Sequence, residues 1–415
     1  MLMLNSLLRS FVRTGSLTVT DADGRKHIYA GKPGPSVTVA LHDRSLHTRL
    51  VTNTDLATAE GYMDGKITLE DGTTLRDLLS FYFVNQDGLL HHPLVRVFDR
   101  VSHLTRRLQQ SNRLGEARRH VSHHYDIGNA LYRLFLDENM VYSCAYFRTG
   151  NETLEEAQIA KHRLIAAKLQ LEPGQSVLDI GSGWGGMAIY LARVADVKVK
   201  GVTLSTEQLE IASERAEAAG VADRVTFELR DYRELDEKFD RIVSIGMFEH
   251  VGVQHFDEFF AKVHSLLDDD GVMLLHSIGS SAPPSAASAF YRKYIFPGGG
   301  IPSLSEVYAA LERNRLWGLD VENLRVHYAE TLRHWHERFS ANRAKVVELY
   351  DERFARMWEF YLASAEMMFR SGSQHVFHLQ IAKKRDAAPL SRDYIVERQR
   401  ELEEAERVKL ARRAA

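Results

Sequence analysis

The run VLDIGSGWGG, Val177 to Gly186, constrains the fold of this chain more than any other segment. An apolar stretch meets the carboxylate of Asp179 and then glycines at alternate positions, Gly181, Gly183 and Gly185, ahead of a helical pattern. Glycine lets a backbone turn sharply and lie against a ligand, and the helix that follows offers unpaired N–H groups at its start. The run therefore predicts a strand, a tight turn and a helix of a nucleotide-type binding fold.

A Gly-x-Gly turn alone does not choose the cofactor. The next predicted strand, Val197 to Leu204, leads into Ser205 without the acidic residue that receives the ribose hydroxyls of NAD. That ending disfavours a dehydrogenase and favours S-adenosylmethionine (SAM), the plainer alternative being an α/β domain with an ornamental glycine turn. Further strands are expected at Ser176 to Ile180, Val225 to Leu229, Phe239 to Ile245 and Gly271 to Ser277, with helices such as Gly186 to Arg193 and Glu207 to Ala219 between them. This alternation predicts an α/β fold with a mainly parallel, doubly wound, Rossmann-like sheet. Ligands of such sheets gather beyond the carboxyl ends of the strands, and Asp179, Thr203, Asp231, Glu249 and His276 all fall at or just after such ends.

Ahead of this region, alternating runs at Ser16 to Thr20, Lys26 to Tyr29 and Ser36 to Leu41, then helical spacing at Asp55 to Tyr62 and Leu75 to Val84, read as a smaller α+β domain. Pro93 to His120 carries seven arginines against Asp99 and Glu116. Within it Leu94, Phe98, Val101, Leu104 and Leu108 recur at helical spacing, with Arg96, Arg100, His103 and Arg107 on another face. Such a helix suits an anionic bilayer, or else packs its apolar face on the protein and leaves its arginines solvated. After this basic segment a helix-rich lead-in is expected from His123 to Leu171, ahead of the alternating strands, and from Tyr328 to Phe369 the chain is helical in pattern and rich in aromatics, which read mostly as core.

Composition narrows the class. The chain has 415 residues, 44% of them apolar and 26% charged, as expected of a globular protein of two or three domains. The lone Cys144 excludes an internal disulfide framework and a Cys-based zinc site, which suits a reducing cytoplasm. No apolar run reaches the roughly eighteen residues of a membrane span. The opening MLMLNSLLRSFVRTG is too short and too interrupted to read as a secretory signal. A cytoplasmic protein with peripheral membrane contact is therefore expected, with no nucleic-acid module and no catalytic metal, since no His-x-x-x-His pair stands convincingly beside a carboxylate.

Several motifs together resemble one family, the SAM-dependent cyclopropane fatty acyl phospholipid synthases and their mycolic acid cyclopropane and methyl-transferring relatives. HHYDIGNALYRLFLDENMVYSCAYF (His123 to Phe147), VLDIGSGWGG, GVTLSTEQ (Gly201 to Gln208), RDYREL (Arg230 to Leu235), DRIVSIGMFEHVG (Asp240 to Gly252), LLHSIG (Leu274 to Gly279), KYIFPGG (Lys293 to Gly299) and YAETLRHWHERF (Tyr328 to Phe339) stand in the family's order. The resemblance implies an accessory, lipid-binding domain over 1–88 and a SAM-dependent catalytic domain over 121–385; the basic helical connector over 89–120 is read from its charge and spacing, and the charged tail over 386–415 matches nothing in the family.

The activity implied is methylene transfer from SAM to the double bond of an unsaturated phospholipid acyl chain in a bilayer. An alkene is a feeble nucleophile, so positioning and exclusion of water matter, and the carbocation left by methyl transfer needs a base to close the ring. In the family that base is a bound bicarbonate, held here by the side chains of Glu249, His276 and Tyr328 and the backbone of Cys144 and Ile278. The cofactor residues implied are Tyr142 and Ser143 near the methionine part, Asp179, Gly181 and Gly183 at the turn, Thr203 and Gln208 near the ribose, and Tyr232 and Ile245 near adenine. Ser182 departs from the cysteine common in the family, without consequence for the backbone. The same first step serves enzymes that make methyl- or methylene-branched chains, and the motifs do not separate the two fates. A small-molecule C-methyltransferase and a non-catalytic lipid-binding protein are the remaining alternatives. A separate accessory domain is compatible with a homodimer, although no residue specifies one.

Overall fold

The computed structural model describes residues 1–90, 128–284 and 288–414; from residue 91 onward the basic connector, and with it the start of the lead-in at His123, lies outside the described residues. The chain forms two compact units that do not follow its order. One gathers the described residues of Met1–Gln109, Ser285–Pro297 and Leu332–Ser373, the other those of Gln110–Pro284, Gly298–Thr331 and Gln374–Ala415.

The first unit contains a four-stranded sheet of β1 (Thr14–Thr20), β2 (Lys26–Ala30), β3 (Lys32–Leu41) and β4 (Ile67–Glu70), in the order β2-β1-β3-β4. Leu17 and Val19 of β1 and Val37, Val39 and Leu41 of β3 alternate inward, where they meet Leu4, Leu7 and Phe11 of the amphipathic helix α1 (Leu2–Phe11). The aromatic-rich segment is helical, and Trp335, Phe339, Trp358, Phe360, Tyr361 and Phe369 are buried, while Tyr350 is half-exposed. Within the same unit the helix Glu352–Arg370 is tied to the N-terminal elements by the Tyr62 hydroxyl donating to Glu359 at 3.1 Å and by the Arg76–Glu366 ion pair at 2.6 Å.

The second unit is built on seven strands: β5 (Ser176–Ile180), β6 (Lys198–Thr203), β7 (Val225–Leu229), β8 (Phe239–Ile245), β9 (Leu267–Ser280), β10 (Trp317–Asn323) and β11 (Gln374–Ala382). Their order is β10-β11-β9-β8-β5-β6-β7, and only β11 runs against the others. The sheet is thus the mainly parallel, doubly wound one that the alternation predicts. The chain winds from β5 to β6 and β7 on one side, then returns to β8 and β9 on the other. This places the switch of direction, where ligands bind in such sheets, at the carboxyl end of β5.

Two strands, β10 and β11, have no counterpart among the sequence expectations. All of β11 after Gln374 is buried, yet His375, His378 and Gln380 interrupt its apolar run, so it does not read as an interior strand. The lead-in from His123 to Leu171 is less helical than expected. Its Asp137 carboxylate accepts the N–H groups of Asn139 and Val141 at 3.0 and 2.8 Å, and Met140 takes a φ of +53°, which breaks the helical pattern into an irregular segment. Regular structure resumes at α2 (Leu154–Leu169), opened by a capping box between Thr153 and Glu156. After the glycine turn comes α3 (Gly186–Ala195). The charged tail forms α4 (Asp393–Ala414), which is tied to α2 and its surroundings by Arg163 paired with Glu406 at 2.5 Å, Tyr190 donating to Glu406 at 2.5 Å, and Arg398 donating to the Leu171 carbonyl at 2.7 Å. Among the described residues no helix is long and apolar enough to cross a membrane.

Candidate active site

Every site residue expected from the sequence lies in the second unit. Gly181 and Gly183, just beyond β5, have φ values of +81° and +54°, a region that L side chains rarely adopt. At Gly181 a Cβ would lie 2.9 Å from that of Met247, whereas at Gly183 it would meet nothing within 4 Å. The first glycine is required by conformation and packing, and the second leaves an open face for a ligand. The turn is pinned to the end of β6 because Gly181 N–H and Ser182 N–H both donate to the Val202 carbonyl at 3.0 Å.

Two cavities adjoin at this turn, sharing Gly181, Gly183, Gln208 and Ile245. The larger, about 840 Å³ including its mouth, adds Thr203 and Tyr232; the other adds Tyr142, Ser143, Lys161 and Asp179. The structure thus brings all of the expected cofactor residues to one cleft. Thr203 Oγ1 donates to Gln208 Oε1 at 2.8 Å, a neutral pair at the end of β6 suited to ribose hydroxyls. Burial pushes the Asp179 carboxyl up to about 7, against the pull of Lys161, and its Oδ2 has no hydrogen-bond partner among the described residues. An orphaned acid at the glycine turn fits a ligand that carries positive charge, and with the neutral ribose pair and the apolar wall of Ile245 the residues present fit SAM.

The catalytic candidates stand beside this cleft. Glu249 follows β8 on a short 3₁₀ turn, Phe248–His250, and its Oε1 accepts the Ile278 N–H of β9 at 2.7 Å. Its Oε2 is buried without a partner among the described residues, and burial pushes the carboxyl up to about 7. The carbonyl of His276, two residues before Ile278, accepts the Gly246 N–H at 3.0 Å, which holds the ends of β8 and β9 together. Cys144 and Tyr328 lie on two segments that are fastened to each other. Ala145 N–H donates to Thr331 Oγ1 at 3.0 Å and Phe147 N–H to His327 Nδ1 at 3.1 Å, so the Cys144 segment is fastened to the turn of helix that carries Tyr328. Burial raises the Cys144 thiol, which donates to the Ala145 carbonyl, and this opposes a nucleophilic thiolate. The buried Lys161 donates to Ser143 Oγ at 3.0 Å, and burial lowers its ammonium to about 8.

Sequence reasoning missed Lys161, Lys168 and His378, all buried in this region. The first two are seven residues apart on α2, hence on one face, and two lysines on the inward face of a helix are a signal in themselves. His378 lies on the strand that was not anticipated. Among the described residues no group of His, Cys, Asp and Glu is placed to hold a metal ion.

The sequence profile of the mycolic acid cyclopropane synthetase family matches residues 112–379. A probable fatty acid methyltransferase of Pseudomonas putida is 36% identical over 352 residues, 82% of this chain and 85% of that protein. The cyclopropane-fatty-acyl-phospholipid synthase of Escherichia coli (strain K12) is 46% identical over 248 residues, 60% of this chain and 63% of that protein. The structure of mycolic acid cyclopropane synthase CmaA1, complexed with SAH and CTAB, superposes with a TM-score of 0.61 at 36% identity and covers 64% of this chain and 97% of that one.

Proposed function

The chain belongs to the mycolic acid cyclopropane synthetase family and is a SAM-dependent methyltransferase; on that premise we propose that it transfers a methylene group to the double bond of an unsaturated phospholipid acyl chain and closes a cyclopropane ring with bicarbonate as base. The observation that carries this reading is the buried carboxyl of Glu249, fastened through one oxygen and left open at the other, beside the end of the strand that bears His276.

SAM when bound supplies an electrophilic methyl that the alkene attacks as S-adenosylhomocysteine leaves, and loss of a proton from that methyl closes the ring. The glycine turn, Asp179 and the Thr203–Gln208 pair hold the donor and set its orientation. Bound bicarbonate would take the proton. Glu249, neutral below about pH 7, can donate from Oε2 to an anion while Oε1 stays with Ile278. His276 and Tyr328 complete the cradle by side chain, with the backbone of Cys144, and burial of these three residues and of Glu249 Oε2 keeps water from the cation. Peripheral contact with an anionic bilayer, through the arginine-rich segment after residue 93, would bring the acyl chain within reach.

A second reading, methyl transfer without ring closure, is favoured by the likeness to the Pseudomonas putida protein, which extends over more of this chain than does the likeness to the Escherichia coli synthase. One experiment separates the two. Purified protein is incubated with trideuteromethyl SAM and vesicles of monounsaturated phospholipid, and the acyl chains are read by mass spectrometry and proton NMR. Two retained deuteriums with upfield ring protons are expected; three on a branched chain would replace cyclopropanation by methyl branching.

A further inference from the structure

His276 does not stand alone behind the site. Its Nδ1 lies 2.8 Å from Nε2 of His378, on the neighbouring strand β11, and Nδ1 of His378 lies 3.2 Å from the ammonium of Lys168. Lys168 in turn pairs with Glu322 of β10 at 2.5 Å and approaches Asp320 to 3.9 Å, and Asp320 is held from outside by Arg392 at 2.6 Å. Lys168 and His378 are fully buried and His276 very nearly so, whereas Glu322 and Arg392 reach solvent.

The direction of each hydrogen bond follows from what its donor can do. An ammonium has three N–H donors and no acceptor, so His378 Nδ1 must accept from Lys168. Burial holds both imidazoles well below the usual histidine range, so each is neutral, with one protonated nitrogen and one bare. His378 therefore carries its proton on Nε2 and donates to His276 Nδ1. Having accepted there, His276 must carry its own proton on Nε2, the nitrogen left for the site.

We propose that Lys168 and His378 are positioning residues that fix the tautomer of His276, so that it presents Nε2–H to the catalytic site and holds an oxygen-bearing group there without taking a proton from it. The proposal rests on the reading of His276 as a site residue and deepens it by dividing the labour: His276 is a donor, and the base is another group. The arrangement parallels the way an outer hydrogen bond orients a metal-bound imidazole, where loss of the outer partner costs roughly 10–100-fold in function.

The test reads tautomers directly. In full-length protein labelled with ¹⁵N-histidine, without substrate or bicarbonate, long-range ¹H–¹⁵N correlations should show His276 and His378 both protonated on Nε2, with signals assigned by H276Q and H378Q. In Lys168→Met the His378 pattern should become mixed and that of His276 should follow, with kcat lower by roughly tenfold or more and SAM affinity within about twofold. Lys168→Arg, which still donates, should restore both the pattern and most of the rate. His378→Phe, which leaves the Lys168–Glu322 pair in place, should repeat the loss. A proton on His276 Nδ1 in the wild-type protein, or histidine signals and a rate unchanged in both Lys168→Met and His378→Phe, would overturn the proposal. Wild-type turnover that is indifferent to bicarbonate, with the expected tautomers observed, would remove bicarbonate as the base while leaving the donor role of His276 supported.

Discussion

The two polar regions of the second unit differ in how far along the chain their partners lie. At the cofactor cleft, contacts are short in sequence: Thr203 meets Gln208 five residues on, and the glycine turn is pinned to the end of the very next strand. Behind the catalytic residues they are long: His276 meets His378 across 102 residues, and His378 meets Lys168 across 210. A cleft assembled from adjacent strand ends comes almost automatically with the fold. A buried train of donors needs three separate segments to arrive in register, and each group in it is costly if left alone.

The sharpest way to break this contrast is to remove one side only. Glu249→Ala and His276→Ala should each lower product formation by about 100-fold or more. Calorimetry should find their SAM affinity unchanged, because neither residue lines the cofactor cavities. Gly181→Ala is the converse: a side chain at a φ of +81° and 2.9 Å from Met247 should cost about 1–3 kcal/mol, read as a lower melting temperature and weaker SAM binding.

A smaller effect sharpens the contrast by pH. Burial raises Asp179 and Glu249 alike to about 7, but their expected ligands have opposite charge. A cation beside Asp179 favours the carboxylate, so SAM affinity should climb by up to about tenfold per unit as pH rises toward 7 and then level off; Asp179→Asn should flatten that rise. An anion beside Glu249 favours the neutral acid, so bicarbonate affinity should be level below about 7 and fall above it, with Glu249→Gln removing the fall. Parallel slopes in the two titrations would contradict one of the assignments. The smallest change is expected from Thr203→Val, which removes one neutral hydrogen bond and should weaken SAM binding by roughly fivefold, about 1 kcal/mol.

The same contrast explains what was legible in the sequence. Strands β5 to β9 and the glycine turn announce themselves by apolar runs and turn residues within a few positions, and the cofactor residues follow from where those strands end. The partners of His276 do not, since nothing local in Gln374–Ala382 says that His378 faces another strand's histidine, and its polar residues hide the strand itself. The lead-in misleads for a related reason: its apolar residues suggest helix, while the side chain of Asp137 satisfies the backbone in a competing way.

The C-terminal helix has a practical corollary. It is joined to β11 by a connector whose Leu390 is fully exposed, and it grips α2, which carries both buried lysines, through Arg163, while Tyr190 of α3 and the Leu171 carbonyl after α2 hold it on either side. A single protease cut at that connector would leave every strand and every cleft glycine in place but free the clamp on α2. Because α2 brings Lys161 to the cofactor cavity and Lys168 to the histidine train, an ageing preparation would lose donor binding and chemistry together, and the damage would be visible on a gel as a fragment shorter by one helix.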